Sequence, residues 1–197
     1  MIKAIIFDWG GVLAPSDNKI GVTRLKKNFE FDEISFMDYL VKHEYDFCHT
    51  NKYEEFLSIA SKKFNIPIES IINALNADPP DEDFEIAKNL SKNYKIYILS
   101  NQLKYRTDYI KKTFDLSFFD KVFFSNEIGL KKPSEEIFSY LLKEINQKPE
   151  NCLLIDDSSK NIVVAKKFGF NTILFKNLNQ LKKELASFSI SLLDNLQ

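Results

Sequence analysis

The sequence predicts a doubly wound α/β fold with a mainly parallel sheet and an inserted helical unit. Short runs of β-branched and aromatic residues alternate with longer segments of helical spacing, and one long stretch near the N-terminus has helical spacing but no strand pattern. Continuous apolar runs suit strands that are covered on both faces. Alternation of strands and helices implies parallel pairing through right-handed crossovers.

The alternating part of the chain forms the predicted core, residues 1–14 and 80–197. Its predicted strands are residues 2–7, 95–99, 122–124, 152–155 and 172–175. Its predicted helices are residues 82–92, 105–114, 134–145, 158–168 and 178–185.

The insertion covers residues 15–79, with helical spacing in residues 22–28, 35–42 and 53–64. Asp78-Pro79-Pro80 marks its exit, because proline cannot continue a helix and holds the preceding residue extended. Five side chains of the insertion are candidate substrate contacts, although a surface or partly buried role is favoured for each: Arg24, His43, Tyr45, His49 and Tyr53.

Composition excludes several classes of protein. The 197 residues carry 27 basic and 28 acidic side chains and a net charge of −1, so the one-sided basic surface of a nucleic-acid-binding protein is not expected. No apolar stretch approaches the ~20 residues of a membrane span, and no secretion signal is apparent. The sequence therefore predicts a cytoplasmic protein without nucleic-acid or membrane partners, in which Cys48 and Cys152 are buried thiols.

Polar residues follow the predicted strands, at the edge of an open α/β sheet where ligands bind. The strand ends and the loop after the third strand supply Asp8, Ser100-Asn101, Lys131-Lys132-Pro133 and Asp156-Asp157. These are a carboxylate, a hydroxyl, a cation and an acidic pair.

This set of groups suits phosphoryl transfer. The Asp8 carboxylate can attack phosphorus and form an aspartyl phosphate that water later hydrolyses. A carboxylate is repelled by a phosphate dianion, so the reaction needs Mg²⁺ held by hard oxygen ligands and a lysine ammonium. Asp156, Asp157 and Lys132 are the natural suppliers, and Ser100 can donate a hydrogen bond to a phosphoryl oxygen.

The four motifs resemble those of the haloacid dehalogenase (HAD) superfamily, in the same order. They are IIFDWGGVL at residues 5–13, ILSN at 98–101, GLKKP at 129–133 and LIDDSSKN at 154–161. Each motif alone is weak evidence, whereas four in order are strong. The insertion after the first motif is similar to the C1 helical cap of subfamily I, and the Phe-Asp-x-Gly-Gly-Val form is similar to the glucose-1-phosphate phosphatase-like branch.

The resemblance implies roles at the phosphoryl group. Asp8 is the nucleophile, and Ser100 and Asn101 bind the phosphoryl group. Lys132 is the motif-three lysine, because it directly precedes Pro133. The implied activity is Mg²⁺-dependent hydrolysis of a small phosphomonoester such as a sugar phosphate.

The resemblance also implies a metal site. Mg²⁺ is held by the carboxylate of Asp8, the backbone carbonyl of Gly10, and Asp156 and Asp157, with Asn161 supporting the acidic loop.

Gly10 departs from the family pattern, which places an acid/base aspartate two residues after the nucleophile. General acid-base help is worth about 10²–10⁴ in rate, so its loss predicts a slow enzyme, unless another acid such as Asp17 replaces it. One alternative is a non-catalytic binding or regulatory protein. Another is a 2-haloacid dehalogenase, although the Asp156-Asp157 pair argues for a metal and against it.

Overall fold

A parallel sheet forms the centre of the protein. The computed structural model describes residues 1–15, 17–50, 52–76 and 81–192, without the side chains of residues 17 and 81–83. Five strands of this part of the chain pair in the order β3-β2-β1-β4-β5, and each neighbouring pair is parallel. The predicted fold class is confirmed. The strands are β1 (Ala4–Phe7), β2 (Lys95–Ser100), β3 (Lys121–Phe124), β4 (Cys152–Asp156) and β5 (Asn171–Leu174).

The central strand β1 is buried on both faces, as its unbroken apolar run predicts. Ile5 and Phe7 belong to one hydrophobic cluster, and Ala4 and Ile6 belong to another. Because successive side chains of a strand point to opposite faces, these clusters cover the two sides of the sheet.

The order of the strands creates a crevice at the carboxyl edge of the sheet. The chain passes from β1 to β2 and β3 on one side, and β4 and β5 then lie on the other side of β1. This reversal between β1 and β4 is a topological switch point, where open α/β sheets bind their ligands. Asp8 directly follows β1 and Asp156 ends β4, so both carboxylates lie at this crevice.

Ten helices are present in the described residues, with a short 3-10 turn at Pro149–Asn151. Two of them, α4 and α7, lie outside the predicted helices, and α1 begins at Asp17, five residues before the prediction. The helices are α1 (Asp17–Lys26), α2 (Glu33–Phe47), α3 (Tyr53–Phe64), α4 (Ile68–Leu75), α5 (Asp81–Leu90), α6 (Lys104–Thr113), α7 (Ser125–Ile128), α8 (Glu135–Ile145), α9 (Ser159–Lys167) and α10 (Leu178–Ser187).

Helices α1 to α4 share a hydrophobic cluster of their own. Val22, Phe36, Phe56 and Ile71 are fully buried in it, and Tyr105 of α6 extends it toward the core. This packing fits the predicted insertion at residues 15–79, whose boundaries stay a prediction. The predicted exit, residues 78–80, lies outside the described residues.

Two compositional predictions can be compared with the structure. None of the described helices is both long and apolar enough to cross a membrane. Cys48 and Cys152 are buried and unpaired with each other, as predicted. The cytoplasmic location stays a prediction.

The packing of α8 against the sheet gives a direct test of the fold. Phe138 is fully buried, and its ring centroid lies 5.6 Å from that of Phe170. Replacing it by alanine removes buried contacts and leaves a cavity, so Phe138→Ala should lower the free energy of unfolding by about 3–5 kcal/mol. Urea unfolding measures this loss. Val163→Ala is the matched control, because Val163 is 51% exposed and its truncation should change stability by ~0.5 kcal/mol or less. Equal effects would contradict this packing.

Candidate active site

The carboxyl edge of the sheet opens into a cavity of about 310 Å³. Seven residues named from the motifs line it: Asp8, Gly10, Ser100, Asn101, Lys132, Asp157 and Asn161. A larger cavity of about 960 Å³ lies at the opposite edge of the sheet, near Lys3 and Lys95, and none of those seven residues lines it. The chemistry of the side chains, and not cavity size, therefore identifies the site.

Lys132 is the buried cation of the site. Its side chain is 1% exposed, and its Nζ lies 3.0 Å from Asp8 Oδ2 and 2.6 Å from Asp156 Oδ2. Burial acts to lower the pKa of Lys132, but the attraction of Asp156 and Asp8 outweighs it, so the pKa is raised. Lys132 therefore stays an ammonium and forms ion pairs with a carboxylate at the end of β1 and another at the end of β4.

Asn101 holds the backbone of Lys132 in place. The Asn101 Nδ2 donates to the Lys132 carbonyl, and the Lys132 N–H donates to Asn101 Oδ1, both at 2.9 Å. The neighbouring Lys131 lies elsewhere, with its Nζ 3.8 Å from the centroid of the Tyr45 ring. This geometry agrees with the choice of Lys132 as the lysine of the site.

Asp156 is fixed by several donors at once. Its Oδ1 accepts from the Ser158 N–H at 2.8 Å, and Asn161 Nδ2 lies 2.9 and 3.0 Å from its two oxygens. Together with Lys132, these donors satisfy a carboxylate that is fully buried. The structure thus gives Asn161 a defined contact with the acidic loop.

Three carboxylates at this edge fit a divalent cation. One oxygen from each of Asp8, Asp156 and Asp157 can be chosen so that the three lie within 4.8 Å of one another. Burial raises the pKa of Asp8 to about 7, with Asp156 acting in the same direction and Lys132 opposing it. Burial and then Asp156 also raise the pKa of Asp157. A hard cation such as Mg²⁺ would offset both the burial of these carboxylates and the repulsion between them, and so favour their ionised forms.

The hydroxyl of Ser100 is buried at the end of β2. It accepts a hydrogen bond from Gln102 Nε2 at 3.0 Å, and the Gln102 N–H donates to Ser125 Oγ at 2.9 Å. Gln102 lines the cavity but was not singled out from the sequence. It lies two residues beyond Ser100, so its adjacency to the second motif was the available signal.

The loop after β1 has two glycines with different constraints. Gly11 has φ +77°, and a Cβ there would lie 2.2 Å from Asp157 Oδ2. At Gly10, a Cβ would meet nothing within 4 Å, and its φ is not positive. The fold therefore requires glycine at position 11 but leaves room for a side chain at position 10. The side chain of Asp17 lies outside the described residues.

Helices α1 and α2 contribute another wall. Of the five candidate contacts predicted for residues 15–79, Tyr45 lines the cavity and the other four do not. Arg24 donates to the Asn76 carbonyl, and His43 packs on Tyr39. Three further polar residues that line the cavity were not predicted from the sequence: Asn18 of α1, Glu44 of α2 and Arg106 of α6. They lie far apart along the chain, so no local pattern joins them.

A family model for haloacid dehalogenase-like hydrolases matches residues 2–169. The chain belongs to the haloacid dehalogenase-like hydrolase family. The match spans β1 to β4 and all four motifs, so the predicted family and the hydrolase class are confirmed.

Two curated relatives differ in how much of their length is matched. D-ribitol-5-phosphate phosphatase of Bacteroides thetaiotaomicron is 27% identical over 94% of this chain and 98% of its own length. Drimenol cyclase drtB of Aspergillus calidoustus is 24% identical over 95% of this chain, which spans 36% of that protein. The predicted class of phosphatase agrees with the relative that is matched over nearly its whole length.

Solved structures support the same architecture. A predicted HAD-like hydrolase from Porphyromonas gingivalis superimposes with a TM-score of 0.78 at 27% identity, over 97% of this chain and 99% of that chain. A HAD family enzyme of Bacteroides thetaiotaomicron, in complex with magnesium and inorganic phosphate, superimposes with a TM-score of 0.72 at 25% identity. The superposition covers 89% of this chain and 95% of that chain.

The two adjacent glycines make a paired prediction. Gly11→Ala should lower the free energy of unfolding by about 1–3 kcal/mol, because it strains a left-handed backbone and forces Asp157 to move. Gly10→Ala should change it by ~0.5 kcal/mol or less, since the new methyl group enters open space. Thermal and urea unfolding of both variants measure the difference. Equal destabilisation would show that the close approach of Gly11 to Asp157 is wrong.

Proposed function

We propose that this protein is a Mg²⁺-dependent phosphomonoesterase that uses Asp8 as its nucleophile. One observation carries the proposal: Lys132 is buried between Asp8 and Asp156 at the switch point of the sheet, beside a cavity lined by Ser100. A charged lysine and a hydroxyl beside a carboxylate are suited to binding and attacking a phosphoryl group.

The first chemical step transfers the phosphoryl group to the protein. An Oδ atom of Asp8 attacks phosphorus, the bond from phosphorus to the ester oxygen breaks, and the leaving oxygen takes a proton. Lys132 and Ser100 stabilise negative charge on the phosphoryl oxygens. Bound Mg²⁺, held by Asp8, Asp156, Asp157 and the Gly10 carbonyl, would neutralise further charge. The HAD family enzyme of Bacteroides thetaiotaomicron that was solved with magnesium and inorganic phosphate supports this cofactor.

The second step releases phosphate. Water attacks the phosphorus of the aspartyl phosphate, the bond between phosphorus and the Asp8 oxygen breaks, and the Asp8 carboxylate is regenerated. Gly10 supplies no acid to the first step and no base to the second. Leaving groups of high pKa should therefore react slowly, because position 10 offers no proton to the departing oxygen.

We assign residues 15–79 to a helical cap that covers the substrate, and the substrate to small phosphorylated metabolites, with sugar phosphates favoured. The cavity of about 310 Å³ lies at the small end of the usual range of ligand sites. The ribitol-5-phosphate phosphatase of Bacteroides thetaiotaomicron supports a polyol or sugar leaving group.

Two other functions are less well supported. A 2-haloacid dehalogenase needs no cluster of three carboxylates, and such a cluster is present. A non-catalytic binding protein is favoured by Gly10 alone, whereas the contact of Lys132 with Asp8 and the presence of Ser100 in the same cavity support an enzyme.

Hydrolysis of an activated aryl phosphate tests the function. We expect phosphate release that requires Mg²⁺ and falls by at least ~10³-fold in Asp8→Asn, because the amide cannot act as the nucleophile. The aryl leaving group needs little acid help, so Gly10 does not obscure the result. Circular dichroism and a cooperative thermal unfolding transition check that the variant is folded. A folded wild-type protein without turnover, or an equally active variant, would contradict the proposal.

The open space at Gly10 permits a gain-of-function test. Gly10→Asp should raise kcat on an alkyl phosphate at least ~10-fold over Gly10→Asn, because only the aspartate can donate and accept the proton. The ratio of the kcat of Gly10→Asp to that of Gly10→Asn should be smaller on an aryl phosphate, whose leaving group is more acidic. Gly10→Asn is the matched control for size and polarity. If the two variants have the same kcat on the alkyl phosphate, the missing acid at position 10 does not limit the rate.

A further inference from the structure

Three polar side chains form a cluster on the cavity wall that the chemistry at phosphorus does not use. Asn18 comes from α1, Glu44 from α2 and Arg106 from α6. All three line the same cavity as Asp8 and Lys132. They are therefore positioned to contact the part of a substrate that leaves after phosphoryl transfer.

The three side chains hold one another in place. Asn18 Nδ2 donates to Glu44 Oε2 at 3.0 Å, and Arg106 Nη2 donates to Asn18 Oδ1 at 2.9 Å. Arg106 Nη2 also lies 3.5 Å from Glu44 Oε1. The side chains of Arg106 and Glu44 are only 11% and 21% exposed. The cluster is thus ordered and partly desolvated before any ligand enters.

The charges of the cluster indicate what kind of group it recognises. The negative charge of Glu44 and the positive charge of Arg106 cancel, and Asn18 is neutral. The cluster therefore favours neither a second phosphate nor an amine. A second anion would be repelled by Glu44, and a cation by Arg106. Hydroxyl groups both donate and accept, and a carboxylate with about four acceptor sites can bind them while it keeps its present contacts.

We propose that Asn18, Glu44 and Arg106 recognise hydroxyl groups on the leaving group, so that the enzyme selects polyhydroxylated phosphomonoesters over apolar ones. This inference rests on the proposed function and extends it to the residues that select the substrate. An apolar leaving group would displace water from the charged cluster without replacing its hydrogen bonds. Sites built to bind hydroxyl groups reject analogues that lack them for this reason.

The cluster also joins the helical insertion to the core, because Glu44 lies in α2 and Arg106 in α6. A purely structural clamp would affect every substrate alike. Recognition of hydroxyl groups would affect only substrates that carry them. The ratio of two specificity constants separates these roles.

The experiment compares a pentitol 5-phosphate with n-pentyl phosphate, which have the same chain length. Wild type should have a kcat/KM at least ~10-fold higher on the pentitol phosphate. In Glu44→Gln this ratio should fall at least ~10-fold, because the neutral amide is a weaker acceptor for hydroxyl groups. Asp108→Asn is the matched control. It removes an exposed ion pair with Lys104 on the same helix as Arg106, so the ratio should equal that of wild type.

Each outcome decides the inference. A wild-type ratio near one, or an equal loss on both substrates in Glu44→Gln, would overturn it while aryl phosphate hydrolysis upheld the proposed function. If no phosphate ester is hydrolysed, the proposed function fails and thermal stabilisation by the two phosphates decides recognition. Greater stabilisation by the pentitol phosphate that is lost in Glu44→Gln supports the inference, and equal stabilisation overturns it.

Discussion

The site depends on one buried ammonium held between two carboxylates. Lys132 Nζ contacts Asp8, which follows β1, and Asp156, which ends β4. Burial of a charge is costly unless it is paired and hydrogen-bonded, and here the carboxylates compensate the lysine while Asn161 satisfies Asp156. Breaking a pair of this kind typically costs about 3–5 kcal/mol, because an uncompensated charge remains buried. The same arrangement brings the proposed nucleophile, Asp8, and the ammonium of Lys132 together in the cavity.

Much of the fold could be predicted because the strands are continuous apolar runs and the polar residues stand at their ends. Once β1, β2 and β4 pair in parallel, Asp8, Ser100 and Asp156 must meet at one edge of the sheet. The position of Lys132 directly before Pro133 favours it over Lys131 as the motif-three lysine. Its buried contact with Asp156 agrees with this choice. Local sequence therefore contained most of the information about the phosphoryl end of the site.

The cluster that we propose contacts the leaving group could not be predicted in the same way. Asn18, Glu44 and Arg106 come from three helices, and their contacts depend on how α1 and α2 pack against α6. No periodic pattern in the sequence predicts contacts between side chains of helices that lie far apart along the chain. The sequence also showed two adjacent glycines without distinguishing them. The positive φ of Gly11 and the close approach of its position to Asp157 distinguish it from Gly10, where a side chain would fit.

The central claim is that Asp8 carries the phosphoryl group during turnover. The most direct measurement is a rapid acid quench with a radiolabelled aryl phosphate, followed by peptide mapping of the trapped protein. The account predicts label on the peptide that contains Asp8, and no such label in Asp8→Asn. Phosphate release without covalent label, or label on a peptide lacking Asp8, would contradict it.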